Sequence, residues 1–393
     1  MGARSTGSHP TTTKADGHLL EYLRSDMSVG GGASAAVLRA GIQATGGNST
    51  NTYTDGGKQY KAHIFTGPGT FVVDSDAAGD IPNNVEYLVV AGGGGGGSHY
   101  QGGGGGAGGL RTNLSGHPLA TGNPSFPVTT TGGNGSGSYT VTVGGGGAGA
   151  TGAGSDGTNG SDSYFGPPSS PAGITSKGGG GAGGYGRHGL PGGSGGGAGD
   201  VDGTRNGGFG YNPSTPSPVV PNIPSPHPYG ITQGNNGGTC SGTYGAPYVA
   251  AGGGGAGGNG LGTDGGSVQS YDGNGGLGVQ VLIAGPSSHP GVGAPGPNGQ
   301  EQWYCGGGGG GGYVTVPSTA GDGGAGPATN APTSGWSGGG PGGPDGTGAT
   351  GDGVNGTTNT GGGGGGAVSP GPPYSGTGGT GGSGIVIIRY ETL

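Results

Sequence analysis

Apolar and polar residues alternate in only a few short stretches of the chain, and these stretches predict β-strands. Tyr60–Phe65 alternates, Thr66–Gly69 has the composition of a turn, and Thr70–Val73 returns the chain. Val85–Val90 and Ile385–Tyr390 are the strongest apolar runs, and we expect them to pair and to join the two ends of a domain. Shorter strand-like pieces occur at Ser138–Val143, Val279–Ile283 and Tyr313–Val316.

Helical spacing is confined to the N-terminal part of the chain. Asp16 is placed to cap a short helix over His18–Arg24, and Ala33–Ala44 is a second helical candidate. We interpret residues 1–52 as an attachment segment, with a partly ordered tail as an equally weighted alternative. The apolar residues predicted to make the attachment are Leu19, Leu20, Leu23, Val37 and Leu38.

After residue 91 the pattern changes to nearly pure glycine blocks separated by short inserts. The blocks have similar lengths but irregular spacing, so they do not form a solenoid repeat of fixed period. The blocks are Gly92–Gly97, Gly102–Gly109, Gly144–Gly149, Gly178–Gly184, Gly192–Gly199, Gly252–Gly258, Gly306–Gly312, Gly338–Gly343, Gly361–Gly366 and Gly376–Gly384.

The composition of the chain raises the question of whether the glycine blocks are ordered or flexible. Glycine accounts for 122 of 393 residues, while hydrophobic residues make up 27% and charged residues 8%. Glycine loses more backbone entropy on folding than any other residue and has no side chain to bury. A flexible linker is therefore the alternative to an ordered block. The purity of the blocks, and their direct entry from the strand-like run at Val90, favour order.

Because glycine has no side chain to bury, only backbone hydrogen bonding between neighbouring blocks can order the glycine blocks. Collagen is excluded because no Gly-X-Y phase persists. Extended helices with three residues per turn have outward-pointing amides and carbonyls, and only glycine lets such helices approach closely. Packed polyglycine II helices are therefore predicted, each spanning roughly 22 Å for seven residues. The alanines within the blocks are expected to face outward: Ala107, Ala148, Ala182 and Ala198.

Charge and chemistry exclude several classes of function. The net charge is −8 with only 11 Lys and Arg residues, so the chain has no basic footprint for nucleic acid. No apolar run is long enough to insert in a membrane. Cys240 and Cys305 have no metal-ligand spacing, and both a single disulfide and two thiols remain open. No nucleophile, base and orienting residue can be nominated from spacing. We expect no enzyme activity, no cofactor and no metal.

Four stretches resemble the glycine-rich domain of phage tail-fibre proteins: Tyr60–Phe71, Val85–Gly94, Tyr139–Gly145 and Gly381–Tyr390. The resemblance covers roughly residues 57–390. That domain is in turn similar to the polyglycine sandwich of the adhesins at the tips of T-even-type long tail fibres. The N-terminal segment departs from those adhesins, which puts attachment to the same kind of fibre in doubt.

The resemblance implies a virion protein that binds the host surface through loops on a glycine scaffold. The expected fold is mainly irregular and β, with packed polyglycine II helices framed by a small β-sheet. The expected divisions are an attachment segment (residues 1–52), framing strands (53–91) and a glycine-rich domain (92–393). Expected partners are other virion proteins, a host glycan or outer-membrane protein, and further copies of the chain. A structural shaft, capsid decoration or extracellular filament is the alternative.

Receptor contacts are expected on the inserts, because function concentrates on loops and aromatic side chains anchor recognition surfaces. Two inserts are large, Asp200–Val249 and Pro286–Tyr304. Covering the ends of the glycine bundle is the alternative role for their aromatic residues. Shorter inserts contain His99, Tyr100, Tyr185, Arg187 and His188. The nominated receptor-binding residues are Tyr211, His227, Tyr229, Tyr244, Tyr248, Trp303, Tyr304 and Trp336.

Overall fold

A computed structural model describes most of the chain from residue 39 onward. It is mainly β and irregular, with two short 3-10 helices at Pro118–Ala120 and Pro297–Gly299 in the described part. The described residues are 39–123, 125–133, 135–167, 173–200, 203–211, 233–241, 248–262, 273–286, 292–313, 321, 323–324, 335–343, 351–369 and 376–393.

The described strands are all short. They are β1 (Gln43–Thr45), β2 (Ser49–Asp55), β3 (Lys58–Phe65), β4 (Gly69–Ser75), β5 (Asn84–Val90), β6 (Leu110–Thr112), β7 (Phe126–Pro127), β8 (Ser138–Thr142), β9 (Ser163–Gly166), β10 (Ile174–Ser176), β11 (Tyr248–Val249), β12 (Val279–Gln280), β13 (Trp303–Tyr304), β14 (Gly312–Tyr313) and β15 (Ile385–Glu391).

The larger sheet has six strands in the order β2-β3-β15-β5-β6 with β7 paired to β5, and its pairs are antiparallel. Ile387 of β15 lies opposite Leu88 of β5 on one side and Ile64 of β3 on the other. The predicted pairing of the C-terminal run with Val85–Val90 is therefore confirmed. The last strand closes the sheet by inserting between two strands from the start of the domain.

The second sheet has five strands in the order β1-β4-β8-β9-β10. The prediction that Thr70–Val73 returns along Tyr60–Phe65 is wrong, because β4 pairs with β1 and β8 while β3 pairs with β2 and β15. The turn after Phe65 carries the chain from one sheet to the other. This arrangement buries Phe71 and Val73 between the two sheets, with Phe71 at 0% exposure.

The first four residues of the C-terminal strand, Ile385–Ile388, are all apolar because both faces of the strand are buried there. Val386, Ile388 and Tyr390 face the core between the two sheets, whereas Ile385 and Ile387 face a second core on the opposite side. Successive side chains of a strand point to opposite faces, so a strand covered on both sides shows no alternation. Each large side chain buried in this way contributes about 1.5–3 kcal/mol relative to the exposed state.

The described part of the N-terminal segment is β-structure. The helical prediction for Ala33–Ala44 is wrong over residues 39–44, because β1 begins at Gln43 and pairs with β4. Ile42 and Ala44 are buried and Gln43 between them is exposed, which is the two-residue period of a strand. The attachment residues Leu19, Leu20, Leu23, Val37 and Leu38 lie outside the described residues.

Beyond β5 the chain continues in glycine-rich segments whose backbone hydrogen bonds repeat every three residues. The N–H groups of Gly92, Gly93 and Gly94 donate to three different segments, and the next three residues repeat that order at 2.8–3.1 Å. The carbonyl groups of residues 92–97 accept from three further segments. The acceptors of the donated bonds are, in order, Ser161, Gly382, Gly106, Thr158, Gly379 and Gly103.

The six segments around residues 92–97 also bond to one another in turn and close a ring. In ring order they are 144–150, 155–161, 178–184, 102–109, 361–367 and 376–384. Residues 102–109 are the centre of a second closed ring. That ring adds the segments 193–199, 250–255 and 306–311. We call these ten segments the glycine lattice.

Glycine is required in the lattice because neighbouring backbones leave no room for a Cβ. A Cβ added at Gly93, Gly94 or Gly95 would overlap a backbone carbonyl, and each carbonyl belongs to a different neighbour. The expectation that lattice alanines face outward is wrong for three of the four. Ala148 is exposed, but Ala107, Ala182 and Ala198 are completely buried. Ala107 packs in the second core and Ala198 packs beside Cys240 and Ala251.

At the boundary of the lattice, side chains replace missing backbone acceptors. Asp156, Asn159 and Asp162 are spaced three residues apart, and the Oδ1 atom of each accepts an N–H from the adjacent segment. Asp352 and Asn355 do the same for another segment. Backbone amides thereby find partners where the lattice ends. The respective donors are Gly184, Gly181, Gly178, Thr377 and Thr380, at 2.7–2.9 Å.

Candidate recognition surface

The glycine lattice has two different ends. At the sheet end, lattice segments connect directly to β5, β6, β8, β10 and β15. At the opposite end the chain turns back between segments, and we call residues 98–101 and 185–188 the distal end. The bond from Gly97 N–H to the carbonyl of Gly103, at 2.9 Å, closes the first of these turns.

Three aromatic side chains meet at the distal end. The ring centroids of His99 and Tyr100 are 4.2 Å apart with an interplanar angle of 69°. The rings of Tyr100 and Tyr185 are 5.0 Å apart and tilted by 50°. All three side chains are half-buried, so part of each ring faces solvent. We call them the distal aromatic cluster.

Two members of this cluster have a backbone conformation that is unusual for residues with side chains. The φ angles are +65° at His99 and +35° at Tyr100. Residues other than glycine rarely occupy this region, and those that do cluster at functional sites. Backbone bonds hold the turn in place: Ser369 N–H donates to Tyr100 (3.0 Å) and Asp200 N–H donates to Gln101 (3.2 Å). These backbone hydrogen bonds therefore fix the main chain from which the rings of His99 and Tyr100 project.

The same turn contains polar atoms that are shielded from solvent and have no hydrogen-bond partner among the described residues. They are Nδ1 of His99 and Oε1 of Gln101, and Gln101 is only 1% exposed. Burial lowers the pKa of His99, which favours the neutral imidazole. Unpartnered polar atoms are rare in folded proteins and mark places where a ligand can complete the hydrogen bonding.

A polar rim borders the cluster. Arg187 donates from Nη1 to Oδ2 of Asp156 at 3.1 Å, and the other oxygen of Asp156 accepts the N–H of Gly184. Arg205 donates from Nε to the carbonyl of Gly186 at 2.7 Å. The cations of this rim are thus already engaged by the protein.

The structure describes five of the eight nominated receptor residues, and none of the five belongs to the distal aromatic cluster. Tyr211 lies at the sheet end, where its carbonyl accepts the N–H of Gln233. Tyr248 begins β11, next to the lattice segment 250–255. Trp303 and Trp336 are half-buried, and the ring of Trp303 lies against Gly296. His227, Tyr229 and Tyr244 lie outside the described residues.

Tyr304 is removed from the candidate receptor contacts because it has no exposed surface. Its side chain is 0% exposed in the second core, and burial raises the pKa of its hydroxyl well above the usual range. Neither Cys240 nor Cys305 forms a disulfide, and both are buried. Burial also raises the pKa of the Cys305 thiol, which disfavours the reactive thiolate.

Two further features are absent from the described ranges. No helix there is long and apolar enough to cross a membrane. Those residues also contain no group of three or more His, Cys, Asp or Glu that could hold a metal ion.

The architecture defines a class of protein in which a small antiparallel β-frame, made of the six-stranded and the five-stranded sheets, leads into a laterally hydrogen-bonded glycine scaffold. A family model described as a glycine-rich domain matches residues 65–391, and the chain belongs to that family. No curated protein matches the chain.

Proposed function

We propose that the protein is a virion adhesin, a tail-fibre or similar receptor-binding protein without enzymatic activity. In this proposal the glycine lattice is a rigid platform and its distal end contacts the host cell. The observation on which the proposal depends is the distal aromatic cluster, which a hydrogen-bonded scaffold holds at the end remote from the β-frame. Half-buried aromatic rings on a fixed backbone lose little entropy when a partner binds.

We further propose that the lattice segments are polyglycine II helices. Such helices have three residues per turn and rise about 3.1 Å per residue, without internal hydrogen bonds. A three-residue repeat of lateral hydrogen bonds, with six neighbours around residues 92–97, is the pattern expected of them. Their value to an adhesin is stiffness, because each segment is fixed by several others.

The N-terminal segment would attach the protein to other virion proteins, and the predicted attachment residues are those given above. The resemblance to tail-fibre domains supports a virion location, as does the position of the β-frame opposite the distal end. A structural shaft or filament subunit is the second candidate. It would have no need of strained aromatic residues at the distal end, so the cluster favours the adhesin.

Binding to cells tests the adhesin proposal. Labelled full-length protein would be titrated onto a panel of bacterial strains, with a matched variant Tyr100→Ala/Tyr185→Ala. The expected result is saturable binding to some strains that the double variant loses. A Tyr60→Ala variant, altered in strand β3 of the larger sheet, should bind like the unaltered protein. Absence of saturable binding on every strain, or equal binding by the double variant, would contradict the proposal.

A further inference from the structure

We infer that the distal aromatic cluster binds a neutral sugar unit of a cell-surface glycan. This inference rests on the proposed adhesin function and adds the chemical class of the ligand. The geometry favours it, because the rings of Tyr100 and Tyr185 are separated by 5.0 Å and inclined by 50°. Rings at this separation pack against each other, and because both side chains are half-buried, the exposed part of the pair presents aromatic surface to solvent.

A pyranose ring is complementary to such an aromatic surface in two ways. Its C–H groups form an apolar face with a slight positive charge, which is attracted to the electron-rich face of an aromatic ring. Its hydroxyl groups point outward around the ring edge and both donate and accept hydrogen bonds. Aliphatic peptide side chains would supply an apolar C–H surface but no surrounding hydroxyl groups.

The polar atoms of the 98–101 turn supply partners for those hydroxyls. Nδ1 of His99 and Oε1 of Gln101 have no hydrogen-bond partner among the described residues, and both are covered in the unliganded molecule. Binding of a sugar through these atoms requires a side-chain rotation that exposes one of them to a ligand hydroxyl. The ligand would then satisfy groups whose burial without partners is unfavourable.

Charge favours a neutral sugar over an acidic one. Arg187 is paired with Asp156, and Arg205 donates from Nε and Nη1 to backbone carbonyls, so the protein already uses part of the hydrogen-bonding capacity of both cations. Burial lowers the pKa of His99, which keeps that ring uncharged near neutral pH. The chain as a whole has a net charge of −8, which repels anionic ligands.

The ring faces, not the phenol hydroxyls, should therefore dominate affinity. Replacing Tyr185 by Phe keeps the stacking surface and is expected to retain binding. Replacing Tyr185 by Ala removes one of the two aromatic rings and is expected to weaken binding about tenfold or more. Tyr60→Ala is the matched control, because it removes a half-buried tyrosine ring from strand β3 of the larger sheet. Thermal unfolding of each variant verifies that the fold persists.

Cells that bind the unaltered full-length protein would then be treated in two ways before titration. Mild periodate cleaves the vicinal diols of sugars, and protease removes exposed receptor proteins. The inference predicts that periodate abolishes binding, protease leaves it intact, and polysaccharide released from the same cells competes. Loss of binding with protease but not with periodate would overturn the sugar assignment while leaving the adhesin function standing. Binding to no untreated cells would instead remove the adhesin function itself.

Discussion

The β-frame and the glycine lattice satisfy the same backbone hydrogen-bonding requirement by opposite means. In the frame, strands pair and their side chains fill the two cores, as Phe71 and Ile387 do. In the lattice, segments pair in several directions at once, and this is possible only because side chains are absent. The comparison teaches that removing atoms should destabilise the frame, whereas adding atoms should destabilise the lattice.

The largest effect is expected from removing a large side chain in the frame. Phe71 is completely buried and touches the rings of Tyr139 and Phe165. Phe71→Ala should lower the free energy of unfolding by about 3–5 kcal/mol, since a cavity remains where the ring was. Urea denaturation measures the change. Thr70→Ala, at an exposed position on the same strand, is the control and should change stability little.

The next largest effect is expected from adding a single methyl group inside the lattice. A Cβ at Gly94 would overlap the carbonyl of Gly180, so Gly94→Ala should cost about 1–3 kcal/mol through overpacking. The matched control is Gly145→Ala, because a Cβ there meets nothing within 4 Å. That control should be neutral or stabilise the protein by about 0.4–1 kcal/mol, since alanine restricts the unfolded chain. Equal effects of the two substitutions would contradict the close packing.

A smaller effect is expected where the lattice ends. Asn159 accepts the N–H of Gly181 at 2.8 Å, so Asn159→Ala should leave that amide without its partner and cost about 1 kcal/mol. Ser161→Ala, at an exposed position on the same segment, provides the control. Faster hydrogen exchange of the Gly181 amide in the Asn159 variant alone is the diagnostic readout. Unchanged exchange there would show that the side chain is not the effective partner.

The smallest effect is a pH dependence contributed by His63 in the frame. His63 is buried beside Phe71 and Tyr390, and desolvation lowers its pKa from 6.5. Between 6.5 and the lower folded pKa the unfolded state binds more protons, so stability should fall as the pH falls below about 6.5. Melting curves from pH 7.5 to 5 measure this loss. His63→Gln should be less stable throughout that range but show a flatter pH profile. An identical pH profile for the variant would assign the dependence to other groups.

The sequence predicted the parts of the fold that depend on local pattern. The apolar runs at Val85–Val90 and Ile385–Tyr390 are long enough to be identified as strands, and their pairing was confirmed. The second sheet was not predicted, because its recruitment of β4 depends on how Phe71 packs between sheets. Likewise, Tyr304 lies in a strand of two residues, which is too short for alternation to indicate its buried face.

The lattice boundary and the distal aromatic cluster illustrate a different limit. The spacing of Asp156, Asn159 and Asp162 is visible in the sequence, each separated by two residues of which one is glycine. The role of these side chains as hydrogen-bond acceptors depends on which segment lies beside them, and the local sequence pattern does not identify that segment. In the same way, His99 and Tyr100 meet Tyr185 only because the two inserts emerge at the same end of adjacent lattice segments.

Residue-resolved hydrogen exchange of the amides of Gly92–Gly97 tests the central claim most directly, because all of these amides donate to neighbouring segments. The lattice predicts that they exchange as slowly as the amides of β5 and β15, since opening them requires separation of several segments at once. Exchange at the rate of an unstructured chain, with the β5 amides still protected, would contradict the lattice.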